Sequence, residues 1–461
     1  MDSTVGDPQQ WAATQFGAAD CGDRRRTQRL VTLAAQIAAN PAGSLPDQAQ
    51  TWGDLKAAYR LLDRPEVTFA AVATPHWQQT RAAAPTGERV LVLNDTTEID
   101  FARGRHITGL GPVGNGGRQG FLLHSGLMAA GDAVFGLAGQ LLHYRQPARP
   151  GETRTQRLRR HRESDLWGEL IDQVGPPPPG ATWVHVMDRG ADHFEVLCHC
   201  QAQRADWVVR AKSLHRKMRT PDGQEVAVHD YLRTLPRAGE YQLKLRARPG
   251  QAARAARLEV RYGPLTLLPP KLKSPYLRRP GAGPIPQWVV WVREIDPPPG
   301  VQPIEWVLYT SVPVPSGTAA QDVVGYYEKR WLIEEWHKAL KSGCQVTQRQ
   351  LHTAARLEAL VGLLGVEAVR LLQLRALART EPERPAEGLV PAGAVRLLWR
   401  VRRLTVAVSA TVGRFFRELA KLGGFLGRKG DGEPGWTTIW RGWEKLHLML
   451  RGAELATNSG A

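Results

Sequence analysis

The chain has 461 residues, with 61 Lys and Arg against 44 Asp and Glu, a formal charge of +17. At roughly 150 residues per domain this length suggests about three domains, and a hydrophobic content of 42% excludes an intrinsically disordered chain. A globular chain this positive points to a polyanion, nucleic acid before anionic membrane.

The membrane option weakens on inspection. The longest apolar stretch, Leu357 to Leu374, is broken by Glu358, Glu367 and Arg370, so no run suits a bilayer. Met1-Asp2-Ser3 does not start like a signal peptide. Cys21, Cys198, Cys200 and Cys344 form no disulfide framework. The expectation is a soluble protein of a reducing compartment.

In chain order, Arg24 to Ala39 reads as an amphipathic helix, with Leu30, Leu33 and Ile37 on one side and Arg25, Arg26 and Arg29 near its start. Asp54 to Leu62, with Arg60, is a second helix. Arg89 to Asn94 is an apolar strand ending at Asp95. A Gly-rich loop from Gly109 to Gly120 precedes strands at Phe121 to Met128 and Val134 to Leu142. Thr182 to Met187 is another buried strand, ending at Asp188. Residues 201–300 hold 19 basic and 8 acidic residues in short β-forming runs, which predicts a sheet with Arg and Lys on one face. Val323 to Lys341 and Ala354 to Arg379 read as long helices, Glu381 to Pro391 as a linker, and Phe415 to Leu450 as a helical tail. Arg396 to Lys429 holds nine basic residues and one acid, Glu418.

Asp95, Asp188 and Glu334 stand out chemically. Strand ends are where α/β sheets carry functional groups. On a helix, positions 327, 330, 334 and 341 fall within an arc of about 60°. Tyr327, Arg330, Glu334 and Lys341 then make one polar stripe, opposite Leu332, Trp336 and Ala339. Carboxylates suit hard divalent cations such as Mg²⁺, and flanking Arg and Lys would offset phosphate charge. Cys198-His199-Cys200 has no partner pair at zinc spacing, and the Gly-rich loop lacks a P-loop ending. His124, His185 and His193 lie near the acidic segments, with core or surface roles the simpler reading.

The Tyr-(2)-Arg-(3)-Glu-(6)-Lys spacing at 327, 330, 334 and 341 resembles the signature of DDE transposases of the bacterial insertion-sequence-four family. Asn94-Asp95-Thr96-Thr97 resembles that family's first acidic motif, and His185-Val-Met-Asp188-Arg189-Gly190-Ala-Asp192 its second. Phe16-Gly17, Gly22-Asp23 through Leu30, and Ala57-Ala-Tyr-Arg60 look like its end-recognition region. Leu422-Gly-Gly-Phe425 with Trp436, Trp440 and Trp443 looks like its tail.

The resemblance implies an α/β fold: an RNase H-like core with a β-rich insertion, between an N-terminal helical DNA-binding domain and a C-terminal helical dimerisation domain. The boundaries expected are 1–80, 81–380 with the insertion at about 205–312, and 381–461. It implies a catalytic, metal-holding triad of Asp95, Asp188 and Glu334 with two Mg²⁺ ions, for which Mn²⁺ would substitute. DNA contacts would come from Tyr327, Arg330, Lys341, Trp306, Trp331, Arg210, Arg25, Arg26, Arg29 and Arg60, with Trp306 stacking on a flipped base. The implied reaction is cut-and-paste transposition: end cleavage, a DNA hairpin, and strand transfer into target DNA by a homodimer that pairs two ends. Two alternatives stay open: a two-metal nuclease without strand transfer, and a non-catalytic end-binding regulator.

Overall fold

The computed structural model describes residues 7–101, 106–114, 117–146, 150–153, 156, 160–245, 253–271, 276–278, 282–404, 410–428 and 431–458. The N-terminal part is helical: α1 (Pro8–Phe16), α2 (Arg24–Ala39), α3 (Leu45–Gln48), α4 (Trp52–Leu62) and α5 (Phe69–Ala82). Side-chain caps explain the starts. Asp23 caps α2, Thr68 caps α5, and Ser44 with Asp47 and Thr51 with Asp54 form capping boxes on α3 and α4.

The strands β1 (Arg89–Phe101), β2 (Gly111–Val113), β3 (Arg118–Ala130), β4 (Ala133–His143), β5 (Thr182–Met187) and β6 (Asp206–Arg210) follow. Between them lie α6 (Asp165–Val174) and α7 (Phe194–Ala202). The core order is β4-β3-β1-β5-β6, with β1 antiparallel to β3 and parallel to β5, and β5 parallel to β6. This is the five-stranded mixed sheet of an RNase H-like core.

β7 (Lys217–Arg219), β8 (Glu225–Ala227), β9 (Arg237–Leu245), β10 (Arg254–Leu267), β11 (Ile285–Glu294) and β12 (Glu305–Thr310), with α8 (Val228–Thr234), make the β-rich part. They do not form a separate layer. β12 pairs antiparallel with β6, so the core sheet continues edge-on through β12, β11 and β10. The edge of β6, which would otherwise carry unpaired backbone groups, is thereby covered. The expected basic face is partly neutralised at home: Arg237 pairs with Glu240, Arg254 with Glu294, Arg257 with Asp296 and Arg261 with Glu259.

Then come α9 (Gly317–Lys329), α10 (Trp331–Lys338), α11 (Ala354–Thr380), α12 (Ala392–Val401), α13 (Val412–Leu422) and α14 (Trp436–Asn458). α11 is buried around its whole circumference, as expected of a helix apolar on all sides. It ties the parts together. Gln373 donates to the carbonyls of Val134 and Phe135 on β4. Arg370 donates to the carbonyl of Ala38 on α2.

Four readings of the sequence need correction. The first strand does not end at Asn94: β1 runs on to Phe101, so Asp95 lies mid-strand. The apolar run stops where β1 stops being buried on both faces. Beyond it Thr97, Ile99 and Phe101 are buried, alternating with half-buried Thr96, Glu98 and Asp100, the period of a strand with one covered face. The Gly-rich stretch is not one loop, because β2 and the start of β3 lie inside it (Gly116 lies outside the described residues). A Cβ on Gly120 would strike the carbonyl of Ile99, so glycine permits that close strand approach.

The helix expected over 323–341 is broken. α9 ends at Lys329, and Arg330 bonds back three residues to the Tyr327 carbonyl, as Ile333 does to Arg330. After α10, residues Ala339–Gly343 form a π-turn closed by Cys344 N–H to the Ala339 carbonyl, 2.9 Å. The break at Arg330 has no Gly or Pro at it, whereas the π-turn ends in Ser342 and Gly343; the side-chain anchors described below accompany both. Finally, Glu381 to Pro391 is not a loose linker: Ala386, Leu389 and Val390 are buried, and its backbone pairs with Ala410 and Val412.

Candidate active site

Strand register assembles the first two acids. β1 and β5 pair with Leu91 opposite Val184 and Leu93 opposite Val186. Two residues further, the same register sets Asp188 level with Asp95. Asp188 follows β5 and starts a short 3₁₀ turn, Arg189–Ala191. Its Oδ1 accepts from the Gly190 N–H at 2.6 Å, which fixes the carboxylate. On β1's other side Asp95 faces Ser125 of β3.

α10 supplies the third acid. Arg330, at the α9–α10 break, donates from Nη1 to Asp95 Oδ2 at 3.1 Å and from Nη2 to Glu334 Oε1 at 2.6 Å. One guanidinium therefore joins acids 239 positions apart in the chain. Burial pushes the Asp95 carboxyl up to about 6. Arg330 opposes that rise, while Asp188 and Glu334 add to it, so both carboxylates act on Asp95 electrostatically. For Arg330, burial opposes the charged form, but Tyr327, Asp95 and Glu334 outweigh it and raise the pKa.

The aromatic residues stand next to this cluster. The Tyr327 ring lies 5.9 Å from the Arg330 guanidinium carbon. Trp306, half-buried on β12, meets Tyr327 edge-on at 5.1 Å. Arg210, at the end of β6, donates to the Glu305 carbonyl at 3.0 Å, beside Trp306. Trp331 is 41% exposed; its Nε1 donates to Glu335, and the Lys338 ammonium lies 5.0 Å above its ring. Lys341 sits in the π-turn and not on a regular helical stripe. Burial lowers its pKa, and Asp100 and Glu98 on β1 oppose that.

The N-terminal arginines divide. Arg29 forks onto Asp54, with contacts at 2.9 and 3.0 Å, and clamps α2 to α4. Arg26 pairs with Asp23 and Glu66. Arg25 and Arg60 are exposed on α2 and α4.

Sequence reasoning missed Glu335 and Arg375, part of what holds the site from behind. Glu335, next to Glu334 but about 100° around the helix, is buried and bonded to Arg375 of α11 and to Lys338. Its burial favours the neutral form, yet Arg375 and Lys338 outweigh that and hold it at about 2. Arg375 in turn lies 4.4 Å from the Trp436 ring of α14. Trp336 donates to the Gly365 carbonyl at 3.0 Å. Together these fix α10 onto α11. His124 and His185 are fully buried, bonded to Thr96 and Asn94, and desolvation holds both at about 3. They are neutral supports under β1. The sequence pattern sets Trp336 on the apolar side of the helix and favours core or surface roles for His124 and His185, whereas it does not single out Glu335 or Arg375.

Cys198, His199 and Cys200 lie within α7. Among the described residues no helix is long and apolar enough to cross a membrane.

Three protein-family models match in order along the chain. Residues 8–67 match the transposase DNA-binding family, and residues 159–366 the transposase DDE domain. The chain belongs to the DDE transposases. Residues 366–460 match the transposase Tn5 dimerisation domain. The transposase thus binds DNA through its N-terminal helices, cleaves and joins DNA with its central domain, and forms a homodimer through its C-terminal helices. Insertion-sequence-four membership is consistent with this order. DDE domains use divalent metal ions. The carboxylate donor set fits such a hard cation. The DDE match contains Asp188 and Glu334, while Asp95 lies before it, so its assignment to the site rests on strand register and on Arg330.

Proposed function

We propose that the transposase performs cut-and-paste transposition through a DNA hairpin, with Asp95, Asp188 and Glu334 as the ligands of two Mg²⁺ ions. What most supports this reading is that one guanidinium, Arg330, bonds both Asp95 and Glu334, while Asp188 follows the strand paired in parallel with β1. Bound there, such ions would stabilise the attacking and leaving oxygens of each phosphoryl transfer.

The chain's own residues have distinct tasks. Asp188 is held in one orientation by the Gly190 N–H, and Glu334 is held by α10, anchored through Glu335 and Trp336. Arg330 and Lys341 offset phosphate charge at the scissile strand. Trp306, braced by Tyr327, offers a face to a flipped base. Stacking of this kind contributes about 1–3 kcal/mol, comparable to the few kcal/mol that extrusion costs. Trp331 and Arg210 extend the DNA-binding surface. At the transposon end, exposed Arg25 and Arg60 contact DNA, and Arg26 and Arg29 hold the helices that carry them. We assign residues 1–80 to end binding, 81–380 to catalysis with the insertion at about 205–312, and 381–461 to dimerisation. The protein acts in the bacterial cytoplasm, on the nucleoid.

The decisive experiment incubates full-length protein, precut transposon ends and target DNA with Mg²⁺. Joined products are expected, with hairpins from uncut ends. Cleavage without joining would make the protein a nuclease. Wild-type transposition by an Asp188→Ala protein would remove the catalytic role of the triad.

A further inference from the structure

We propose that Arg330 is a stand-in cation: it holds Asp95 and Glu334 together in the metal-free protein and is displaced toward DNA when a divalent metal binds, so metal and DNA bind cooperatively. This rests on the metal-holding role proposed above for the three acids.

The geometry carries it. The two guanidinium nitrogens address different carboxylates, Nη1 to Asp95 at 3.1 Å and Nη2 to Glu334 at 2.6 Å. The guanidinium therefore lies between the two acids, where a shared cation would bind. All three side chains are largely shielded, with 14%, 17% and 27% of Arg330, Asp95 and Glu334 exposed, so a positive group between them is weakly screened. Among the described residues no three His, Cys, Asp or Glu side chains stand close enough to hold an ion. The acids can close on a metal only after the guanidinium has left.

Its way out is defined. Arg330 sits at the joint between α9 and α10, on a long side chain with the Tyr327 ring 5.9 Å away. Tyr327 leads to Trp306 at 5.1 Å. Withdrawal from the acids takes the guanidinium toward this aromatic pair, where a flipped nucleotide would bring its phosphate. A guanidinium that leaves two carboxylates for a phosphate exchanges one charge-assisted bond pattern for another. Metal entry frees the arginine for DNA, and DNA draws the arginine from the metal site. Linkage makes the two effects equal in size.

The test is Mn²⁺ binding to the full-length protein by calorimetry, with and without a short duplex carrying the transposon end under conditions where no cleavage occurs. Circular dichroism confirms that each variant is folded. Without DNA, Arg330→Gln is expected to bind Mn²⁺ at least about 5-fold more tightly than wild type, and Arg330→Lys to fall between them. In wild type, DNA is expected to tighten Mn²⁺ binding by a factor in the range of about 5–150, typical of such coupling, and in Arg330→Gln this enhancement disappears. Asp95→Ala and Glu334→Ala lose Mn²⁺ binding. If Arg330→Gln binds Mn²⁺ like wild type or more weakly, or keeps the DNA enhancement, while the acid variants lose binding, the stand-in role is overturned and the metal site survives. If the acid variants bind Mn²⁺ like wild type, the metal reading itself fails.

Discussion

Substitution of Asp95 by Asn should stabilise the metal-free transposase while abolishing its activity. Burial raises the Asp95 carboxyl from the ordinary 3.8 to about 6, despite the neighbouring Arg330. Ionised Asp95 is therefore unfavourable in the folded protein, because burial excludes water from it, with repulsion from Asp188 and Glu334 adding to that. The sign follows from linkage: the raised group contributes stability in full below about pH 4 and loses it as pH rises through about 6. At about 1.4 kcal/mol for each pH unit of difference, the cost of the charge near pH 7–8 is roughly 3 kcal/mol. Asn keeps the shape and an acceptor for Arg330 and for the Thr96 N–H, which bonds Asp95 Oδ1 at 2.8 Å, but carries no charge. Thermal unfolding in a chelator, scanned from pH 4 to pH 8, measures the difference. Asp95→Asn should gain a few degrees over wild type at pH 7–8 and nothing at pH 4. A lower melting temperature than wild type at pH 8 would refute the reasoning, since Asp95 would then be a net stabilising partner of Arg330 and not a carboxylate penalised by burial.

Three further outcomes follow from the same structure. Arg375→Met leaves Glu335 buried without its main partner, which costs about 3–5 kcal/mol for a broken buried pair; the melting temperature should fall, with a parallel loss of cleavage as α10 loosens. Trp306→Ala should leave end binding near wild type but reduce hairpin formation by roughly the 5- to 150-fold that corresponds to about 1–3 kcal/mol of stacking, read as hairpin yield on a gel. In the N-terminal helices, Arg60→Ala should weaken DNA binding and flatten its salt dependence, whereas Arg29→Ala should lower thermal stability through loss of the α2–α4 clamp to Asp54; filter binding over a salt series and a melting curve separate the two.

Local chemistry was enough to find the helices at 24–39 and 182–187's strand, because caps, apolar runs and flanking turns act over a few residues. The candidate acids were legible for the same reason: Asp95, Asp188 and Glu334 sit in short motifs whose spacing survives in one dimension. What surrounded them was not legible. That β1 continues past Asp95 depends on what covers its second face. The helix break at Arg330 accompanies a bond to Asp95, 235 positions away in the chain, and the contact of neighbouring Tyr327 with Trp306. Glu335 looked like its neighbour Glu334, and only the packing of α10 against α11 separated an acid facing the site from one bound to Arg375.

The family, the order of the three parts and the three candidate acids are legible in one dimension, since these rest on residue types at fixed spacing. The tertiary structure decided how charge is used. The +17 excess points only to a polyanion, nucleic acid first. Folding commits many of those bases to acids of the same chain, among them Arg29 to Asp54, Arg254 to Glu294, and Arg402 and Lys421 to the buried Glu418. Charge is additive along a chain, but its availability depends on which partner lies within about 4 Å, and only the fold sets that distance.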